Sequence, residues 1–456
     1  MRRPSAISCL LLCLALAAHA RTRPHYGGTL RIETAGDPWQ LPDGIARQLV
    51  LDTLTAVGDT GAVQPALALR WSSQNDSHRW QFTLRPGVHF TDGEPLTSDA
   101  VAAALTAACS SSHAPCPWRT VRPVGDAVVL VSDSAVPDLP ELLAQSQFAI
   151  ARQGSAGAVI GTGPFRVTGF VNGALTFVAN DDCWAGRPFL DSIELRPHRS
   201  VHDQGLDLSV GRADIVEVPP ELLRDAEQQH LAVLQSRPVD LLALAIVPTG
   251  PFASREIRQA AALAVDRSAL YNVIFQKQGE ITASLLPQWI SGDSFLFPSD
   301  RALDRARALR GGANSPLLLL AVDNSGSAMN LATMDLAAQR IALNLHEAGF
   351  NVQTTAVRGS ASLVLRLIPV EAATPRAALD EMAARLTQNN MAQNGSVTGT
   401  DPAALWQAEQ GMLDSQTVVP LLWLPRAWAA GERVRDLRLS AAGQPLWADV
   451  SLEGAK

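Results

Sequence analysis

The chain has 456 residues, 47% hydrophobic and 18% charged, enough for two or three domains with real cores and too apolar for a disordered protein. Its net charge is −7, and all but two of its 37 cations are arginines scattered singly among acids, which excludes the basic stripe of a nucleic-acid binder. Neither lysine, Lys277 or Lys456, stands in the Gly-Lys-Ser/Thr context of a phosphate-binding P-loop.

Arg2 and Arg3 precede an apolar run from Ile7 to Ala18 that ends in Ala18-His19-Ala20, a small-x-small site. This predicts a signal peptide over residues 1–20, cleavage after Ala20, and export to the periplasm. The run is short of the roughly 20 residues of a permanent span. Cys13 follows Leu10-Leu11-Leu12, where lipid attachment would want small residues. Loss of Arg2 and Arg3 makes the mature chain more acidic.

In chain order, Thr29 to Thr34 reads as a strand and Ile45 to Leu54 as a helix. Trp80 to Leu84 alternates as a strand, Arg85-Pro86-Gly87 turns, and Val88 to Phe90 is expected to return as its hairpin partner. Thr97-Ser98-Asp99 offers a side-chain oxygen to cap an Ala-rich helix from Ala100 to Ala108. Cys109 and Cys116 then flank a Ser/Pro-rich loop, and in an oxidising compartment they are expected to form a disulfide. The alternative, a metal held with His113, falls short of four ligands. Cys183 reads as a buried small hydrophobe.

Val128 to Val131 is a strand and Leu139 to Leu143 a short helix. Phe165 to Phe170 and Ala174 to Ala179 are joined at Asn172-Gly173, both tolerant of positive φ, and so form a hairpin. Further strands are expected over Leu190 to Leu195 and Asp240 to Val247, with a short helix over Leu206 to Gly211. Ser254 caps a helix carrying Ile257, Ala261, Ala264 and Val265 on one face, and a second follows from Ser268 to Gln276. A polar helix over Pro298 to Arg310 comes next. Strand Leu317 to Val322, helix Met329 to Ala348 and strand Asn351 to Val357 make a β-α-β stretch, followed by strand Leu363 to Ile368. Helices over Arg376 to Gln388 and Pro402 to Leu413 precede an apolar strand over Pro420 to Leu424.

Catalytic signatures are missing: no Gly-x-Ser-x-Gly elbow, no Gly-x-Gly-x-x-Gly, and a His346-Glu347 without its second histidine. His198 and His202 read as a solvated loop beside Pro197. Asp323-Asn324-Ser325-Gly326-Ser327 matches the Asp-x-Ser-x-Ser oxygen-ligand pattern of von Willebrand A-type domains, against a plainer reading as a capped strand-to-helix turn. Of ten tryptophans, Trp71, Trp80 and Trp184 sit by strands as core residues, whereas Trp39, Trp289, Trp423 and Trp428 lie next to Pro, Gly or strand ends, where aromatics either pack or line clefts.

The order of segments resembles the family 5 extracellular solute-binding proteins of ABC transporters, the dipeptide, oligopeptide and nickel type. Gly27-Gly28-Thr29-Leu30-Arg31 is similar to the family's opening strand, and Trp80 through Val101, with Arg85-Pro86-Gly87-Val88-His89-Phe90-Thr91-Asp92-Gly93, to its most recognisable signature. Gly161-Thr162-Gly163-Pro164-Phe165, Asn180 to Leu190, Gly211 to Ile215 and Phe252 to Arg267 resemble later blocks.

The resemblance implies an α/β periplasmic-binding-protein fold of the class II type, two lobes joined by a hinge with an extra small domain. Domain I would comprise 27–46, 160–246 and 418–456, domain II 47–159, and domain III 247–417. It implies a monomeric, non-catalytic protein without cofactor that captures a solute by hinge closure for a membrane permease. By position, Thr34, Ala35, Trp39, Trp289, Trp423 and Arg426 would face the cleft, Arg426 meeting a carboxylate with both prongs. Peptide-binding members carry an acidic segment that neutralises the ligand's amino terminus; here Ile368 to Pro375 offers Glu371 instead. Other readings remain open: a degenerate member serving as receptor or scaffold, a secreted hydrolase, or a cation-dependent adhesion module on Asp323, Ser325 and Ser327.

Overall fold

The computed structural model describes residues 25–39, 44–58, 61–111, 116–154, 157–292, 297–312, 316–323, 331–388 and 401–454. The expected signal peptide, His113, Ser325 and Ser327 lie outside them.

The architecture is α/β, organised on a mixed sheet of eleven strands. At one end Phe165–Val171, Ala174–Ala179, Ser192–Arg196, Thr29–Glu33 and Ile215–Glu217 lie side by side; at the other end are Leu363–Pro369, Leu317–Asp323 and Asn351–Thr355. Two long strands, Ala232–Ile246 and Val418–Ala430, run antiparallel through the middle and belong to both ends. The short strand Glu280–Ile281 pairs with the second of them. Thr29–Glu33 is parallel to its neighbours Ser192–Arg196 and Ile215–Glu217, and Leu317–Asp323 to Leu363–Pro369 and Asn351–Thr355. Such parallel strands need covering on both faces, and their apolar content supplies it.

Side-chain alternation divides that covering. Ile215 joins Leu30, Ile32 and Trp428 against helix Ile45–Val50, while its neighbour Val216 joins Ala427 and Ala429 on the opposite face beside Leu223. At the other end Leu241, Ala243 and Ala245 enter one cluster and Leu242, Leu244 and Ile246 another. The second is roofed by helices Arg255–Ala264 and Leu331–Glu347. Each such leucine stabilises the fold by about 1.5–3 kcal/mol relative to exposure.

A separate antiparallel sheet orders Ala68–Gln74, Arg79–Leu84, Ala127–Val131 and Thr120–Val124, with helix Ser98–Ser111 beside it. Here the expected hairpin fails: Arg79–Leu84 pairs with Ala68–Gln74 and Ala127–Val131, and not with Val88 to Phe90. Pro86 has no N–H and Gly87 adopts φ 75°, so the chain leaves the ladder. Val88 and Phe90 turn into the core instead, leaving an isolated bridge between His89 and Pro95.

Local chemistry elsewhere acts as its residue types demand. Asn172 and Gly173 take φ of 52° and 78° at the hairpin tip. Thr97 Oγ1 accepts from the N–H of Ala100, and Ser254 Oγ from that of Ile257. Cys109 and Cys116 are bridged, and Cys183 is free and buried. Four helices differ from expectation: the one placed at Ile45 to Leu54 ends at Val50, and the one placed at Pro298 to Arg310 begins at Leu303. The one placed at Leu206 to Gly211 spans Val201–Ser209, because Ser200 caps it from Asp203, and it takes in His202. The one placed at Ser268 to Gln276 is a short turn, Arg267–Ala269, continued by a π-helical stretch Leu270–Ile274. Among the described residues no helix is long and apolar enough to cross a membrane.

Candidate functional site: the crossover strands and the segment around Glu371

The register of the two long strands changes where they pass from one end of the sheet to the other. Ala232 to Gln235 pair with Ala430 to Ala427, Asp240 to Ala245 pair with Leu424 to Val418, and bulges separate the two runs. Between them Pro238 stands opposite Pro425. Neither residue carries an N–H, so the ladder loses its bonds at the crossing, and proline inside a sheet is tolerated at such bulges. Arg426 closes the gap: Nε lies 2.8 Å from Oδ2 of Asp240 and Nη2 2.6 Å from Oδ1, while its backbone N–H donates to Ser236 Oγ at 2.9 Å. The carboxylate that Arg426 meets with both prongs is therefore that of Asp240.

The other expected cleft residues are spread over both ends of the sheet. Thr34 is buried, its carbonyl accepting from the N–H of Arg199, and the N–H of Ala35 donates to Glu217 Oε2 at 2.7 Å. Trp39 packs half-buried against the Leu30–Trp428 cluster. Beside them Glu33 is fully buried with Arg196 and Arg199 near its carboxylate; burial and the Asp207 charge push its pKa up against the pull of Arg199. Across the crossover, Trp289 donates its indole N–H to the Pro238 carbonyl at 2.7 Å and lies under Arg237. Trp423 is 0% exposed within the cluster of Leu241, Val370 and Leu285, and Trp428 is buried beside Trp447.

Glu371 lies where strand Leu363–Pro369 runs out toward helix Pro375–Gln388. Its side chain is 9% exposed. Ser146 donates to it twice, from N–H to Oε2 at 2.8 Å and from Oγ to Oε1 at 2.9 Å. Arg385 adds a bond at 3.3 Å, and Glu381 accepts from the backbone N–H groups of Glu371 and Ala372. The Ser146 carbonyl accepts from Arg47 Nη2 at 3.1 Å. Burial lowers the pKa of Arg47, an effect that nearby Glu371 partly offsets. Further along, Thr374 Oγ1 donates to Glu141 Oε2 at 2.6 Å and Arg376 stands 3.5 Å from Asp138. Burial raises the pKa of Glu141, opposed by the Thr374 bond, and that of Asp138, opposed by the Arg376 charge.

Ser146, Asp240 and Glu33 were not anticipated as parts of this region. Asp240 carried a signal, an acid opening an apolar strand; Ser146 carried none. Among the described residues no group of three or more His, Cys, Asp or Glu is placed to hold a metal ion. Asp323 is buried between Arg358 and Arg366, to which it is paired.

Solved structures share this fold, among them the periplasmic binding protein DppA from Helicobacter pylori, with a TM-score of 0.78 at 16% identity, covering 94% of this chain and 99% of that one. AgaA from A. tumefaciens R10 in complex with agropinic acid superposes with a TM-score of 0.79 at 19% identity, covering 94% of this chain and 99% of that one. NikA from Staphylococcus aureus in complex with Ni(L-His)2 gives 0.77 at 17%, covering 93% and 100%. The family model for bacterial extracellular solute-binding proteins, family 5 Middle, matches residues 62–403, and the chain belongs to that family. Among curated relatives, probable di/tripeptide-binding protein 5 of Pseudomonas aeruginosa is 27% identical over 340 residues, 63% of each protein. The chain spans 40% to 63% of the length of the first relatives it matches, about half.

Proposed function

We propose that the chain is the periplasmic solute-binding component of an ABC transporter, which captures a small solute between two lobes by hinge bending and delivers it to a membrane permease. The sequence-expected boundaries at 246/247 and 417/418 would leave both long strands inside domain I, so they are moved to the crossing: domain I would comprise 27–46, 160–238 and 425–456, domain II 47–159, and domain III 239–424. The observation that carries this reading is the crossing itself: two strands then join the lobes, and Pro238 opposite Pro425 interrupts their hydrogen bonding at the passage. Thr34, Ala35 and Trp39 on domain I and Trp289 on domain III would line the solute's side of the hinge. Peptides are the first class to test, because a di/tripeptide-binding protein is among the relatives.

The test is thermal unfolding of the mature chain against di- to hexapeptides, nickel and its chelates, since a ligand of the folded state raises the midpoint. A shift with one class and not the others identifies the solute. One observation favours a second reading, a receptor or scaffold that has lost its transport ligand. Glu371, the acid expected to face a ligand's amino terminus, is bonded to Ser146 and Arg385. No shift with any of these compounds favours that reading over peptide or nickel transport.

A further inference from the structure

Two sets of polar contacts join the proposed lobes, and they lie on opposite faces of the sheet. The first is the group around Glu371: Ser146 with Glu371, Thr374 with Glu141, and Arg376 with Asp138. On the N-terminal side it adjoins helix Ile45–Val50 through Arg47, the helix that packs on Ile215 and Leu30. On the C-terminal side its neighbours Val370 and Ala372 belong with Leu241 and Ala243. The second is Thr333 Oγ1 donating to Glu221 Oε1 at 2.6 Å, both residues buried. Leu223, two residues beyond Glu221, packs with Val216, on the face opposite Ile215. Met334, next to Thr333, packs with Leu242 and Leu244, opposite Leu241 and Ala243.

A rotation about the strands between these contacts that relieves one set compresses the other. We propose that the chain latches its own lobes together: the contacts of Glu371 and Thr374 on one face and of Thr333 on the other hold the closed arrangement, and release of the Glu371 latch is the step that opens it. This inference rests on the lobe division proposed above, but not on the identity or existence of a solute. Apolar contact adds to the latch, because Leu139 and Leu142 of the smaller sheet's domain share a cluster with Ala372, Ala377 and Leu386. The polar members then act as a switch rather than as the bulk of the attraction, since a carboxylate in that setting that loses both bonds from Ser146 is costly, while Arg385, on its own side, stays with it.

The experiment measures lobe separation directly. Spin labels at Asp126→Cys and Asp304→Cys, both exposed and one on each side, report the distance by double electron-electron resonance in the full mature chain. The expected result is one narrow distribution in the parent and a second, longer population, displaced by several ångströms, in the Glu371→Ala, Thr374→Val double variant. Ser146→Ala, which keeps the backbone donor and removes one hydroxyl, is expected to give a smaller fraction of the same population. Circular dichroism checks that each variant is folded, and the gentle Ser146→Ala keeps the test valid if the double variant is not. A parent with a broad or two-population distribution, or folded variants that match a narrow parent, would overturn the proposal. Because the readout needs no added compound, its failure is distinguishable from a failure to bind solute.

Discussion

Arg426 and Asp240, 186 residues apart in sequence, form a two-pronged ion pair beside the facing prolines Pro238 and Pro425. With both side chains only 15–16% exposed, the pair holds two strands together where their backbones cannot. Removing either partner leaves a largely desolvated charge, so Asp240→Asn and Arg426→Gln should each lower stability by about 2–3 kcal/mol. Their combination should cost less than the sum of the two. Urea unfolding of the four proteins of the cycle checks this, and additive effects would show that the two residues act independently.

A second arginine cluster makes a prediction about pH. Arg31 and Arg433 both bond the buried Asp214, Nε and Nη2 of Arg433 each at 2.7 Å. Burial alone would raise the Asp214 pKa, but the bonds from Arg433 and Arg31 outweigh it and hold the carboxyl below its ordinary value. A lowered folded pKa contributes stability that is complete above the unfolded value of about 4 and is lost as pH falls through the folded one. Asp214→Asn should therefore be less stable than the parent at pH 7, with the difference shrinking below about pH 4. Unfolding midpoints across an acid series decide it.

Asp52 has the opposite sign. Its Oδ2 accepts from Trp184 Nε1 at 2.8 Å and Thr162 Oγ1 at 2.7 Å, yet burial raises its pKa more than these bonds lower it. The folded state then holds the proton more tightly than the unfolded one. Ionisation of Asp52 costs stability as pH rises from about 4 through its folded pKa, and the full cost persists above that value. Asp52→Asn, close in shape and still an acceptor, is expected to flatten the pH profile over that window. A profile unchanged from the parent would show that Asp52 titrates normally.

Gly161 and Gly163 lie against the end of helix Ile45–Val50. A Cβ on Gly161 would fall 2.0 Å from the Val50 carbonyl oxygen, and one on Gly163 2.6 Å from the Val50 carbonyl carbon. Both obstacles are backbone, which cannot move aside as a flexible side chain would, and the Gly163 N–H also donates to Val50 O at 2.9 Å. Gly163→Ala should destabilise by about 1–3 kcal/mol through overpacking, and Gly161→Ala by at least as much. Thermal melts measure both; Gly173→Ala, whose Cβ would meet nothing within 4 Å, compares the cost of a positive φ alone.

The bridge between Cys109 and Cys116 closes a small loop with Cα atoms 5.3 Å apart. In the chain-entropy picture such a crosslink is worth about 2 kcal/mol. A Cys109→Ser, Cys116→Ser variant should melt lower than the oxidised parent, and reductant should shift the parent toward the variant while leaving the variant unchanged.

What the sequence determined by itself was the set of features whose physics is complete within a few residues. Asn172-Gly173 turns a hairpin because both residues take positive φ there, and Ser254 starts a helix because its hydroxyl reaches an N–H three residues on. The order of such segments, with the motif from Trp80 to Val101, was enough to reach the family and its fold. The tertiary structure decided which segments meet. Trp80 to Leu84 reads as a strand alone, but its partners, Ala68–Gln74 and Ala127–Val131, depend on which apolar faces are left to cover. Glu371 was visible as an acid in place of an expected one, yet its partner Ser146 lies 225 residues away and carries no local signature. The same holds for Arg426 and Asp240. A carboxylate binds whichever donor the packed fold brings within 3 Å, and alternation and capping along the chain carry no information about that encounter.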